Sequence, residues 1–159
     1  MPDSTPVSLI RHTLATLAYR LGKALRDTPD SFRNYPGSGD ERTAGRVLAH
    51  IGDLMDWALS MIEGRTVWHD SVPLSWPEEI ERFYRAIAAL DAKIAASGLG
   101  ECTAERLFQG PIADALTHTG QLAMMRRLAG IRMKGENYYK AEISAGKVGA
   151  DQAAPRREF

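Results

Sequence analysis

Apolar residues recur at three- to five-residue steps along most of the chain, and no strand-like alternation flanked by a hairpin signal competes with that rhythm. Leu9, Leu14, Leu17, Leu21 and Leu25 form one stripe and predict a first helix over about residues 6–27. The stretch DTPDSFRNYPGSGD then breaks the pattern with turn-forming residues, as expected of a surface loop folded over one end of a bundle. A second helix is expected from a cap near Asp40 to about Glu63, ahead of Gly64. Its inward residues are Val47, Ile51, Leu54, Ala58 and Met61, with His50 on the flank of that stripe. Ser75 followed by Glu78 has the spacing of a capping box, and Pro77 is tolerated in a first turn, so a third helix is predicted over Trp76–Ser97, stopped by Gly98 and Gly100. A fourth begins near Thr103 and ends at Gly130, with Pro111 kinking or interrupting its early part. The piece ENYYKAEISAGKVG predicts a short fifth helix ending at Gly146.

Long amphipathic segments joined by ordinary loops define an all-α fold, a four-helix bundle with a short additional C-terminal helix. A chain of 159 residues supports one hydrophobic core. Residues 1–150 are therefore expected to form one domain and residues 151–159 a flexible C-terminal tail. Neither an internal repeat nor a low-complexity segment divides it.

Charge narrows the partners. Twenty basic and twenty acidic residues give a formal net charge of zero, so no global field draws in nucleic acid. The single cysteine, Cys102, cannot form an internal disulfide or a thiolate-rich zinc site and points to a reducing, cytoplasmic setting. MPDSTPVSLIRHTLATLAYR lacks the basic start and clean apolar run of a secretory signal, and no apolar stretch is long enough to span a membrane. The chain also has no glycine-rich phosphate loop, no G-x-S-x-G elbow and no Cys-x-x-Cys pair.

What stands out is DALTHTGQL, which puts Asp114 four positions before His118. That spacing aims both heads from one helix face. His50, well inside the second helix, can supply a third donor, and two imidazoles with one carboxylate make a three-ligand cap with positions left for water or substrate. Taken separately, the Asp–His pair also reads as an ordinary hydrogen-bonded helix pair, and His50 as a boundary histidine. Convergence of all three would spare each the cost of burial without a partner, about 2 kcal/mol or more per polar group.

In AGRVLAHIGDLMDWAL, DALTHTGQLAMMRRLAG and ENYYKAEISAGKVG the sequence resembles the DinB-like (DinB/YfiT) family of metal-binding four-helix bundles. The resemblance spans most of the chain and is weakest in the first helix and the loop after it. Members carry one histidine on the second helix and a histidine-three-residues-histidine motif on the last long helix, which bind a divalent metal such as nickel or zinc. The resemblance gives His50 the second-helix role and His118 that of the motif's second histidine. Asp114 stands where the motif's first histidine would be. A carboxylate there leans away from the soft end of the metal series, so iron(II) and manganese join nickel and zinc as candidates, or else the bundle keeps its shape without the metal.

Relatives include thiol-dependent transferases and proteins resembling metal-dependent hydrolases or isomerases. The resemblance thus implies a small-molecule substrate or a low-molecular-weight thiol, activated as metal-held water or thiol, and a homodimer paired through helix faces such as MMRRLAGIRM. Asp53, one turn after His50, is a candidate acid or base or a solvated surface residue, and Gln121, three beyond His118, a candidate for orienting a ligand or substrate. Trp57, Tyr138 and Tyr139 are candidates for the mouth of the site, and Cys102, near a helix start, for a reactive thiol. Arg126, Arg127, Arg132 and Lys134 suit the negative end of the fourth helix. The alternative to an enzyme is a metal-free bundle serving as scaffold or small-molecule binder.

Overall fold

The computed structural model describes residues 5–37 and 42–159. It is all-α: α1 (Thr5–Leu25), α2 (Ala44–Ile62), α3 (Trp76–Ser97), α4 (Ala104–Leu107) and α5 (Ala113–Leu128), with 3-10 turns at Asp30–Asn34 and Tyr138–Lys140. A π turn, Phe108–Ile112, joins α4 to α5, and the three together make the fourth rod of a four-helix bundle. No helix among the described residues is long and apolar enough to cross a membrane.

The core is the intersection of the helical stripes. Leu14, Leu17 and Leu21 of α1, Leu48, Ile51 and Met55 of α2, and Phe83, Ile87 and Ile94 of α3 are completely or almost completely buried. Each contributes about 2 kcal/mol of hydrophobic stabilisation. Leu9, assigned above to the α1 stripe, is 62% exposed, and Ile10 is buried in its place. Ile10, Leu14, Leu17, Leu21 and Leu25 keep the steps of four and three that follow a 3.6-residue turn, and Leu9 lies about 100° off that line. Ile62 similarly takes the fully inward position expected of Met61, which is only half-buried.

Caps fix where each rod begins. Asp40, expected to cap the second helix, lies outside the described residues; Thr43 occupies the N-cap of α2 and its side chain accepts a hydrogen bond from the Arg46 N–H at 3.3 Å. At α3 the Glu78 carboxylate accepts from the Ser75 N–H at 3.2 Å and from the Ser75 hydroxyl, which holds its pKa below the usual carboxylate range. Thr103 caps α4. Pro111 falls inside the π turn, where its missing N–H removes an α-helical bond and lets the turn widen.

The loop after α1 folds over one end of the bundle, as expected. Phe32 is buried with its ring 5.3 Å from Trp76 in an edge-on contact, and the Arg33 guanidinium donates to the Leu74 carbonyl at 2.6 Å. Arg126 is not spent on the end of its own helix. It is buried, and its Nη1 donates to the carbonyls of Lys23, Ala24 and Arg26 at 2.7–3.1 Å, so it satisfies the C-terminus of α1 instead.

The additional C-terminal helix is the single turn Tyr138–Lys140, started by the Asn137 side chain accepting from the Tyr139 N–H. Residues near the end of the chain lie alongside it: Gly135 and Phe159 exchange two backbone hydrogen bonds of 3.1 Å, and the Asn137 N–H donates to the Arg157 carbonyl. Beneath them the Lys23 ammonium bonds both Glu136 and Glu158 at 3.0 Å, and the Tyr19 hydroxyl donates to Glu136 at 2.5 Å. Burial and the bond to Glu136 push the Tyr19 pKa well up. Burial opposes the Lys23 charge, yet the two carboxylates outweigh it and raise that pKa as well. Both raised values mean that the network's contribution is complete below the ordinary Tyr and Lys values of 10.0 and 10.5 and is lost as pH climbs past them. Urea unfolding measured from pH 8 to 12 is therefore expected to show stability level to about pH 10 and falling beyond it. Glu136→Gln should lower stability at pH 8 and weaken that fall; an unchanged alkaline slope in the variant would contradict the assignment.

Candidate metal centre

His50 projects from the second turn of α2 and Asp114 and His118 from the first two turns of α5, where those helices face one another. Their heads meet. His50 Nε2 is 3.3 Å from Asp114 Oδ2, and His118 Nε2 is 3.4 Å from Asp114 Oδ1. The two imidazoles stand edge to face with centroids 4.8 Å apart, and one donor atom from each of the three residues lies within 4.8 Å of the others. The His118 side chain is 8% exposed and that of Asp114 47%, so the trio sits at a surface opening with its histidine end rooted in the bundle.

Gln121 decides which nitrogen of His118 is available. Its amide oxygen lies 2.7 Å from His118 Nδ1, and because a carbonyl oxygen only accepts, Nδ1 carries the hydrogen. In the neutral ring Nε2 is then the nitrogen with the lone pair, and it faces the carboxylate of Asp114. Two acceptors facing each other at 3.4 Å repel unless a proton or a metal cation lies between them. Donors about 2.0–2.2 Å from a tetrahedral centre are spaced about 3.3–3.6 Å from one another, and each imidazole lies at such a distance from one of the two Asp114 oxygens. These residues therefore fit a divalent metal in both chemistry and spacing.

Asp53 is placed differently from the trio. It is 3% exposed, its Oδ2 accepts from the Ser71 N–H at 2.9 Å, its Oδ1 from the Ser71 hydroxyl at 2.6 Å, and it also pairs with Arg82. That same guanidinium bonds Asp56 at 3.1 Å, Glu79 at 3.0 Å and the Ala49 carbonyl at 3.1 Å. Burial opposes its charge, but the bonds to Asp53 and Glu79 raise its pKa on balance. Gly52 makes room for it, since a Cβ there would lie 2.9 Å from Arg82 Nη1. His69, on the loop after α2, adds its Nε2 at 3.3 Å from Asp56 and its Nδ1 at 3.6 Å from Asp53. A second cluster, Asp53, Asp56 and His69, thus lies near the first. The sequence offered no signal for it because His69 belongs to a loop with no periodicity.

The same loop supplies an aromatic wall. Trp68 packs edge-on to His50 at 5.4 Å and to Trp57 at 5.8 Å. Tyr138 and Tyr139 do not line the mouth: Tyr138 packs against Tyr19 under the Arg20 guanidinium, and Tyr139 points to solvent. Cys102 is half-buried, and burial pushes its thiol pKa up despite the nearby Arg106, which opposes a reactive thiolate. A cavity of about 410 Å³ opens beside the trio, bounded by His50 and His118, by Arg42 and Arg46, and by Asp70 and Ser71 of the loop.

Because Asp53 holds the loop through Ser71, Asp53→Ala is expected to cost about 3 kcal/mol in unfolding free energy by leaving Arg82 under-paired. It should also speed proteolytic cutting within residues 64–75. Cutting at the parent rate would show that the loop is held by other contacts.

No family model matches this sequence, and comparisons with curated proteins and with solved structures give no significant match. The fold and the two clustered histidine–carboxylate sets are by themselves those of a helical bundle equipped to hold a metal.

Proposed function

We propose that this chain is a divalent-metal-binding protein of the DinB-like kind, with His50, Asp114 and His118 as ligands, acting as a metal-dependent hydrolase or thiol-dependent transferase. The approach of His118 Nε2 to the Asp114 carboxylate at 3.4 Å, with Nδ1 engaged by Gln121, is the observation that most directly supports it. Among the described residues no arginine or lysine side chain is paired with that carboxylate, whereas Asp53 and Asp56 of the neighbouring cluster already have Arg82.

When bound, a divalent ion supplies Lewis acidity that lets a water or thiol lose its proton near neutral pH. The chain's own contributions are distinct. His50 and His118 present neutral imidazole nitrogens from two helices, and Asp114 removes one unit of charge between them. Gln121 holds the His118 tautomer and ring orientation. Trp68 and Trp57 form an aromatic wall beside His50, while the cavity bounded by His50 and His118 gives the substrate its way in. The nitrogen and oxygen donor set suits zinc, nickel, iron(II) or manganese.

Elemental analysis of protein purified without a metal-affinity tag tests this reading. One metal per chain is expected in the parent and none in His118→Ala. Absence of metal in the parent, and after addition of zinc, nickel, manganese and iron(II), would overturn it and favour a metal-free bundle in which His50 and Asp114 form a simple ion pair. Gln121→Leu should keep the fold and weaken metal affinity about 10- to 100-fold, read by competition with a chromophoric chelator. Unchanged affinity would remove Gln121 from the site.

A further inference from the structure

Arg46 and His50 stand four residues apart on one side of α2, and Arg42 lies just before the N-cap Thr43, so all three come to the wall of one cavity. Both arginines line the cavity that His50 and His118 also bound, and both are exposed. Neither makes an ion pair with a carboxylate among the described residues. Asp53, the buried carboxylate on this wall, is already neutralised by Arg82.

Stability does not account for this arrangement. Two like charges on the wall of one cavity repel. Arg46 is moreover the third residue of α2, in a first turn that contains no acidic residue, where the helix's positive end disfavours another cation. The pair is positioned for something that arrives from solution. A guanidinium presents paired N–H donors that match the two oxygens of a carboxylate. The Asp70 carboxylate lines the same cavity and opposes a dianion, which favours a singly charged carboxylate over a phosphate.

We propose that Arg42 and Arg46 form the anchoring site for the carboxylate of a small-molecule substrate, whose other end is thereby held against His50, Asp114 and His118. The cavity of about 410 Å³ is of small-molecule size. The naming of the substrate class rests on the metal-centre reading, but the anion site itself does not, since the arginines stand outside the ligand trio. An amphipathic carboxylate has room to continue, because a second, mostly apolar cavity of about 630 Å³ shares Arg42 and Val47 with the first and runs past Gln121 to Met124 and Leu128.

The experiment uses metal-stripped full-length protein titrated with butyrate and, separately, with inorganic phosphate, followed by calorimetry and by tryptophan fluorescence. Butyrate is expected to bind more tightly than phosphate. Arg42→Gln and Arg46→Gln should each weaken butyrate at least tenfold. The arginine variants should retain the parent's metal stoichiometry and melt at or above the parent temperature, because removing one of two like charges relieves repulsion. Butyrate affinity unchanged in the arginine variants, tighter phosphate binding, or a clear fall in their melting temperature would each overturn the proposal. Failure of the metal reading shows separately, as absent metal in a parent that still binds butyrate through the arginines.

Discussion

The position of the candidate metal centre depends on one buried cation. Arg82 comes from α3, yet all its bonds but one are made to α2, at the Ala49 carbonyl, Asp53 and Asp56; the exception is Glu79 on its own helix. Removing a guanidinium and the Asp53 and Glu79 carboxylates from water is costly, and only multiple, well-directed bonds offset it. Such a group tolerates few arrangements. It therefore sets how α3 lies against the face of α2 that also carries His50, and through Asp53 and Ser71 it sets the path of the loop bearing Trp68. Gly52 belongs to the same constraint, as the residue whose missing side chain admits the guanidinium.

The two histidine–carboxylate clusters consequently divide their roles. One contains its own cation and is nearly closed: Asp53 has Arg82, a serine hydroxyl and an amide around it. The other has a carboxylate between two imidazoles, one of them held by Gln121 through Nδ1 so that Nε2 faces the carboxylate. Similar residue types thus serve as brace in one place and as open donor set in the other, and the arginine makes the difference.

Much of this was legible in the residues. Regular steps of three and four gave the helices, and Ser75 with Glu78 fixed the start of α3 at Trp76. The four-residue spacing of Asp114 and His118 placed two donors on one face, and the position of His50 well inside the second helix, beside its core stripe, made it the candidate third donor. Periodicity says nothing about loops, so His69 and Trp68 stayed hidden until the chain path brought them beside α2. Charge was misleading where burial decided. Arg126 looks like a helix-end surface residue, but its guanidinium is enclosed by the carbonyls of another helix, and Asp53 looks solvated but is enclosed by α3 and the loop. Tyr138 and Tyr139 lie beyond the last helix, where no spacing rule fixes which side of the bundle the chain will cross.

The π turn between α4 and α5 ties the candidate metal centre to an exact count of residues. Each residue added to or removed from a helix rotates everything beyond it by about 100°. Thr103 fixes the start of the fourth rod, and the wide turn at Phe108–Ile112 sets the phase with which Asp114 and His118 emerge toward His50. Substitutions at Gln109 or Gly110 leave that phase intact. Loss of a single residue there would carry both donors off the α2 face while leaving every side chain of the centre in the sequence, so in the descent of such a chain changes of length in this turn are more restrictive than changes of residue.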